Sequence, residues 1–125
     1  MSSLTLHKIK RRFPRVNLNL AAEIRSRFPD KNYDQFPVSI RSLNYGGLSF
    51  LSPVPFKVGI PVEITMYNFM DQIYFSAEIT WIKNIAESAT PNYKCGLKFT
   101  QLSDENRVKI HDIVNSYLAN SNTAI

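Results

Sequence analysis

Val16, Leu18, Leu20, Ala22 and Ile24 alternate with Asn17, Asn19, Ala21, Glu23 and Arg25. In an extended chain successive side chains point to opposite faces, so this stretch predicts a strand with one face buried and one wet. By the same parity Arg15 joins Asn17 and Asn19 on the wet face. Phe28-Pro29-Asp30-Lys31-Asn32 supplies turn chemistry, and a second strand is expected over Phe36 to Leu43. There the alternation breaks. Val38 and Ile40 share a face with Ser42 and Asn44 while Leu43 points the other way, which predicts a bulge or a change of face near Arg41.

Tyr45-Gly46-Gly47 reads as a turn into a third strand over Leu48 to Leu51, and Pro53, Pro55 and Gly59-Ile60-Pro61 mark a loop. Val62, Ile64 and Met66 then alternate with polar neighbours, as do Ile73, Phe75, Ala77, Ile79 and Trp81. A hairpin connection is expected at Asn68 to Gln72, and Trp81 falls on the inward parity of its strand. Ala86 to Asn92 is a polar loop, and Tyr93, Cys95, Leu97 and Phe99 form one face of a last strand. Several short strands at this spacing imply a barrel or a sandwich. Ser103-Asp104-Glu105 has a capping hydroxyl and first-turn acids, and Ile110, Ile113, Val114, Tyr117 and Leu118 recur at helical spacing. One amphipathic helix therefore closes the chain, and Ala119 to Ile125 is expected to be a flexible tail.

The length of 125 residues suits one domain that buries roughly two-thirds of its unfolded surface. Hydrophobic residues are 44% and charged residues 20%, far from a disordered composition. The net charge is +5, and it is contributed entirely by Lys8, Lys10, Arg11, Arg12 and Arg15, since the remainder is neutral. Residues 1–10 are thus expected to be a flexible basic arm, with a field focused where an anion would dock. The single cysteine excludes an intrachain disulfide and a CxxC zinc site, and no metal is expected from His7 or His111. Cys95 reads as a small core residue. No apolar run approaches the roughly 20 residues of a membrane span, so the expected location is cytoplasmic, without membrane insertion.

Candidate chemistry sits in two segments. In Arg11-Arg12-Phe13-Pro14-Arg15, Pro14 disfavours a helix, and an extended backbone sets Arg11 and Arg15 roughly 13 Å apart. Two planar guanidinium forks at that separation suit different parts of one extended anionic ligand, phosphate oxygens or a guanine edge. The second segment is Ser42-Leu43-Asn44-Tyr45-Gly46-Gly47, in which Gly47 permits positive φ or close backbone approach and Tyr45 offers a stacking face. Taken alone, the basic pentad is a solvated arm, the glycine pair is a turn, and Ser42 and Asn44 satisfy the amides of that turn. No GxGxxG, GxxxxGK[ST] or GxSxG motif and no placed carboxylate pair points to an enzyme.

The order of features, a basic RxxxR, a strand, a [DN]xSxxG-type turn, further strands, Tyr93-Lys94-Cys95-Gly96-Leu97-Lys98-Phe99 and a Ser-Asp-Glu-capped helix, resembles the PilZ domain family from about Lys8 to Leu118. The resemblance implies an all-β-dominated fold over residues 11–118, a six-stranded antiparallel barrel with one C-terminal α-helix. It also implies a bacterial receptor for cyclic di-GMP that performs no chemistry on its ligand and needs no cofactor. The family's two arginines carry over to Arg11 and Arg15, and its glycine to Gly47. Arg12 and Gly46 are auxiliary candidates. Ser42 stands where the family has Asp or Asn, and Asn44 where it has Ser. A serine hydroxyl cannot accept from both guanine N1–H and the exocyclic amine as a carboxylate does, and each missing hydrogen bond is expected to cost about 0.5–1.5 kcal/mol.

The resulting expectation is a single-domain cyclic di-GMP effector whose N-terminal arm orders over the ligand and signals to a protein partner. Two alternatives stand beside it. One is a degenerate PilZ interaction module that ignores the nucleotide and regulates motility, pilus or polysaccharide machinery. The other is a nonspecific binder of single-stranded nucleic acid, with no specific nucleic-acid partner.

Overall fold

A computed structural model describes residues 15–26, 35–85 and 92–123, the last three of these as backbone only. Six strands, β1 (Val16–Ser26), β2 (Gln35–Leu43), β3 (Gly47–Ser52), β4 (Pro61–Asn68), β5 (Asp71–Ile85) and β6 (Asn92–Gln101), precede the helix α1 (Asp104–Thr123). The strands close a barrel in the order β1-β2-β3-β6-β5-β4, and every neighbouring pair is antiparallel. Closure pairs the edges of the sheet with each other, so that neither is left as a template for aggregation.

Alternation along the strands fills the interior. Val16, Leu18, Ala22 and Ile24 of β1 are buried while Asn17, Asn19 and Arg25 are exposed, and Phe50, Ile64, Met66, Phe75 and Ile79 are fully buried within the barrel. The loop after β3 folds inward, where Phe56 packs edge-on against Phe50 at 6.0 Å and stacks on Phe36 at 5.9 Å. The buried Ile110, Ile113 and Val114 of α1 also join the core. The Ser103 hydroxyl accepts from Asn106 N at 3.1 Å, the cap that its position before the two acids led one to expect. The helix runs to Thr123, so Ala119 to Thr123, expected in the tail, continue it.

Two of the four breaks in register among the described residues bear on which side chains face the solvent near the β2–β3 turn. Between Ile40 and Ser42 the β2–β3 pairing slips, and Ser42 and Leu43 are both buried, which realises the change of face expected near Arg41. Between Ile79 and Trp81 the β5–β6 pairing slips as well. An extra residue in one strand reverses the parity of the residues beyond it. Trp81, expected in the core, is therefore 42% exposed, and Ile82 packs against the core in its place.

Candidate functional site

The connection from β2 to β3 is built by Asn44. Its backbone N–H donates to Gly47 O at 2.9 Å, and its side-chain Oδ1 accepts from Gly46 N at 2.7 Å and Gly47 N at 2.8 Å. Phe99 N donates to Gly46 O at 3.0 Å, which bolts the turn to β6. Gly47 does not need its conformational freedom, since the one glycine at positive φ is Gly59, at 96°. It needs the missing side chain: a Cβ there would collide with the backbone carbonyl of Leu97 and stand 3.2 Å from the Cα of Lys98. The close approach expected at this position is thus β3 against β6.

Ser42 and Ser49 are paired across β2 and β3, and their hydroxyls are hydrogen-bonded at 2.5 Å. Ser42 therefore does not serve the amides of the turn, as the simplest reading of the sequence had it; Asn44 alone does. Two hydroxyls that share one hydrogen bond still carry a second O–H and spare lone pairs.

Beside this turn lies a cavity of about 430 Å³, bordered by Arg15 and Asn17 at the start of β1, by Ser42, Asn44, Gly46 and Gly47, and by Ser49. That volume falls within the range of small-ligand sites. The remaining wall comes from Trp81, Lys94, Leu48 and Leu97. Trp81 is paired with Gly96, and a Cβ on Gly96 would run into the indole Nε1 and Cε2, so the ring lies directly on the strand backbone. Two cations, Arg15 and Lys94, border the cavity, and no carboxylate among the described residues does.

The profile of the PilZ domain family matches residues 9–116. The chain belongs to the PilZ domain family. No curated protein sequence matches it. Among solved structures, this PilZ domain is similar to the Bacillus subtilis inhibitor of motility, with 14% identity, a TM-score of 0.72 and coverage of 88% of this chain and 52% of that one. It is similar to the PilZ domain of YcgR from Escherichia coli, solved with c-di-GMP, at 14% identity and a TM-score of 0.68, covering 92% of this chain and 96% of that one. The MrkH–c-di-GMP complex of K. pneumonia gives 14% identity and a TM-score of 0.74 over 92% of this chain and 55% of that one. The PilZ domain thus spans about half the length of the motility inhibitor and of MrkH, and at these identities the likeness shows the fold.

Of the residues singled out in the sequence, the structure brings Arg15, Ser42, Asn44, Gly46 and Gly47 to one cavity. Arg11 and Arg12 lie outside the described residues. Tyr45, expected as the stacking face, is committed elsewhere: its ring packs on His111 at 4.2 Å and its hydroxyl donates to Asn115 Oδ1 at 2.6 Å, fastening the turn to α1. Trp81 takes the wall that Tyr45 does not. The sequence reading missed Trp81, Lys94 and Asn17. A signal for the first existed in Gly96, because a glycine inside a strand marks a place where something lies close on the backbone.

Cys95 is buried inside the barrel behind this wall, and burial pushes its thiol from 9.0 up to about 11, which leaves it protonated and unreactive at neutral pH. Away from the cavity, Glu63 pairs with Arg25 at 3.2 Å, and Glu23 accepts from Gln35 at 2.9 Å and from Tyr67 at 3.1 Å. The hydrogen bond to that carboxylate holds the Tyr67 phenol above its usual range, with burial adding to it. Among the described residues no helix is long and apolar enough to cross a membrane, and no group of three or more His, Cys, Asp or Glu is placed to hold a metal.

Proposed function

We propose that this PilZ domain is a receptor for cyclic di-GMP, which it binds without chemical change in the cavity between the base of the N-terminal segment and the β2–β3 turn. The observation that carries the reading is a cavity of ligand size bordered by Arg15, Lys94 and an exposed indole, with no carboxylate among the described residues to repel a dianion. Arg15 pairs with a phosphate or a guanine edge as a planar fork, and Lys94 adds a point charge. Trp81 stacks on one guanine, an interaction worth about 1–3 kcal/mol per base. Gly46 and Gly47 border the site on the side of the β2–β3 turn. Arg11, with Arg12 as an auxiliary, closes over the ligand from the arm, so that nucleotide binding changes the surface offered to a downstream protein in the cell interior.

Calorimetry with cyclic di-GMP tests this reading directly. Saturable binding to the wild type, weakened about 10-fold or more in Arg15→Ala and in Arg11→Ala, is the expected result, corresponding to about 1.4 kcal/mol or more for a lost charged contact. No heat at high micromolar ligand removes the reading.

A second reading rests on a specific observation: both exchanged side chains of the turn have structural employment, Ser42 with Ser49 and Asn44 with the turn amides. In that reading the barrel is a nucleotide-independent interaction module. Partner capture that is unchanged by added nucleotide supports it, and capture only in the presence of nucleotide counts against it. Nonspecific binding of a single-stranded polyanion is separated from both by a titration at two ionic strengths, because such binding falls steeply with salt.

A further inference from the structure

The hairpin from β4 to β5 turns on two residues, Phe69 and Met70, between the paired Asn68 and Asp71. Both side chains are almost entirely in water, at 97% and 99% exposure. Phe69 also sits at φ 58°, the left-handed region that such turns normally fill with Asn or Gly and in which a bulky residue is an outlier. Folding alone disfavours both features. Nor is the hairpin loosely attached, for Asp71 pairs with Lys109 at 3.0 Å and Tyr74 O accepts from Asn106 Nδ2 at 2.9 Å. The strand that follows the strained apolar tip is thus tied to α1 at Asp71 and Tyr74.

Immediately beside the tip is a groove of about 680 Å³ between β1, the hairpin and α1. Leu20, Ile73, Ile113 and Tyr117 give it an apolar floor and Phe69 forms one lip, while Lys109 and Asp112 stand on its helical rim. Asp112 has no ion pair among the described residues. One patch therefore holds an apolar projection, an apolar recess large enough for a phenyl and a thioether side chain, and both signs of charge. A patch that carries both halves of a contact is self-complementary, which is the requirement for an interface with two-fold symmetry.

We propose that this patch is a self-association surface, in which a second copy of this chain inserts Phe69 and Met70 into the groove and receives the same pair in return. The two-fold arrangement sets Asp112 of each copy in the field of Lys109 of the other. The patch shares no residue with the nucleotide cavity, so the proposal stands or falls independently of the ligand.

Sedimentation velocity over a concentration series, from low micromolar to several hundred micromolar, tests it. The wild type is expected to show a reversible monomer–dimer equilibrium. Phe69→Asn, a residue suited to the left-handed turn, is expected to remain folded and to stay monomeric where the wild type is half dimer. Met70→Ser should weaken association at least several-fold, and Ser116→Trp, which fills the groove from an exposed helix position, should do the same. A wild type that sediments as a monomer throughout overturns the proposal, including where the tip is found to engage a foreign protein. Undiminished dimerisation of folded Phe69→Asn and Met70→Ser overturns it equally.

Discussion

The connection after β2, Asn44 to Gly46, and the connection after β4, Phe69-Met70, reverse the usual relation between residue type and conformation. The first contains an asparagine and is followed by a second glycine, yet none of its residues lies at positive φ. They are explained by hydrogen bonding and by space: Asn44 Oδ1 satisfies two amides, and Gly47 lets β3 lie on the carbonyl of Leu97. The second contains no turn-forming residue, and it is the one that requires a left-handed backbone. The surroundings differ in the same sense. The first borders a cavity whose charges among the described residues are the cations Arg15 and Lys94, and the second borders a groove with an apolar floor and the charges Asp71, Lys109 and Asp112. A turn whose unusual residues are explained by hydrogen bonds and close approach is accounted for by the fold, whereas a bulky residue held at positive φ with its side chain in water has a cost that the fold does not explain.

Gly47→Ala is the largest expected break in this contrast. The new Cβ meets backbone atoms of β6, which cannot rotate away, so the β3–β6 seam must open and stability should fall by about 3 kcal/mol in urea unfolding. Asn44→Ala comes next, since it leaves the amides of Gly46 and Gly47 without their acceptor; a loss of about 1.5 kcal/mol is expected in the same assay. Phe69→Asn should act in the opposite direction, raising stability by about 0.5–1 kcal/mol as the strain is relieved. If it destabilises instead, the tip is packed in a way that its exposure contradicts.

A last effect, absent at neutral pH, concerns the barrel interior. The Cys95 thiol titrates at about 11 in the fold against 9.0 ordinarily, so between those values the unfolded chain has lost a proton that the folded chain keeps. The thiol's contribution to stability is unchanged below about pH 9 and is lost as the pH rises toward about 11, and Cys95→Ala should flatten the part of the alkaline decline due to the thiol.

Legibility in the sequence followed the physics of each element. Strands with clean alternation, such as Val16 to Ile24 and Val62 to Met66, were readable because one buried face fixes the parity, and the cap at Ser103 was readable because its hydroxyl acts locally. Trp81 was not, since its face depends on a slip in pairing with a strand distant in sequence, at which alternation continues on paper but not in space. Tyr45 was misread for a similar reason: its partners His111 and Asn115 lie on a helix that no local pattern connects to the turn. The cavity was half legible. Arg15, Ser42, Asn44, Gly46 and Gly47 lie in two short motifs, but Trp81 and Lys94 come from strands that only barrel closure brings alongside.

Trp81 is the single tryptophan of the chain, which makes it a direct reporter of the proposed site. Titration of cyclic di-GMP into the folded protein while following tryptophan emission should give a saturable change that Arg15→Ala shifts to higher ligand concentration. Emission that stays constant through high micromolar ligand, in a protein whose barrel is intact by circular dichroism, would contradict binding against that wall.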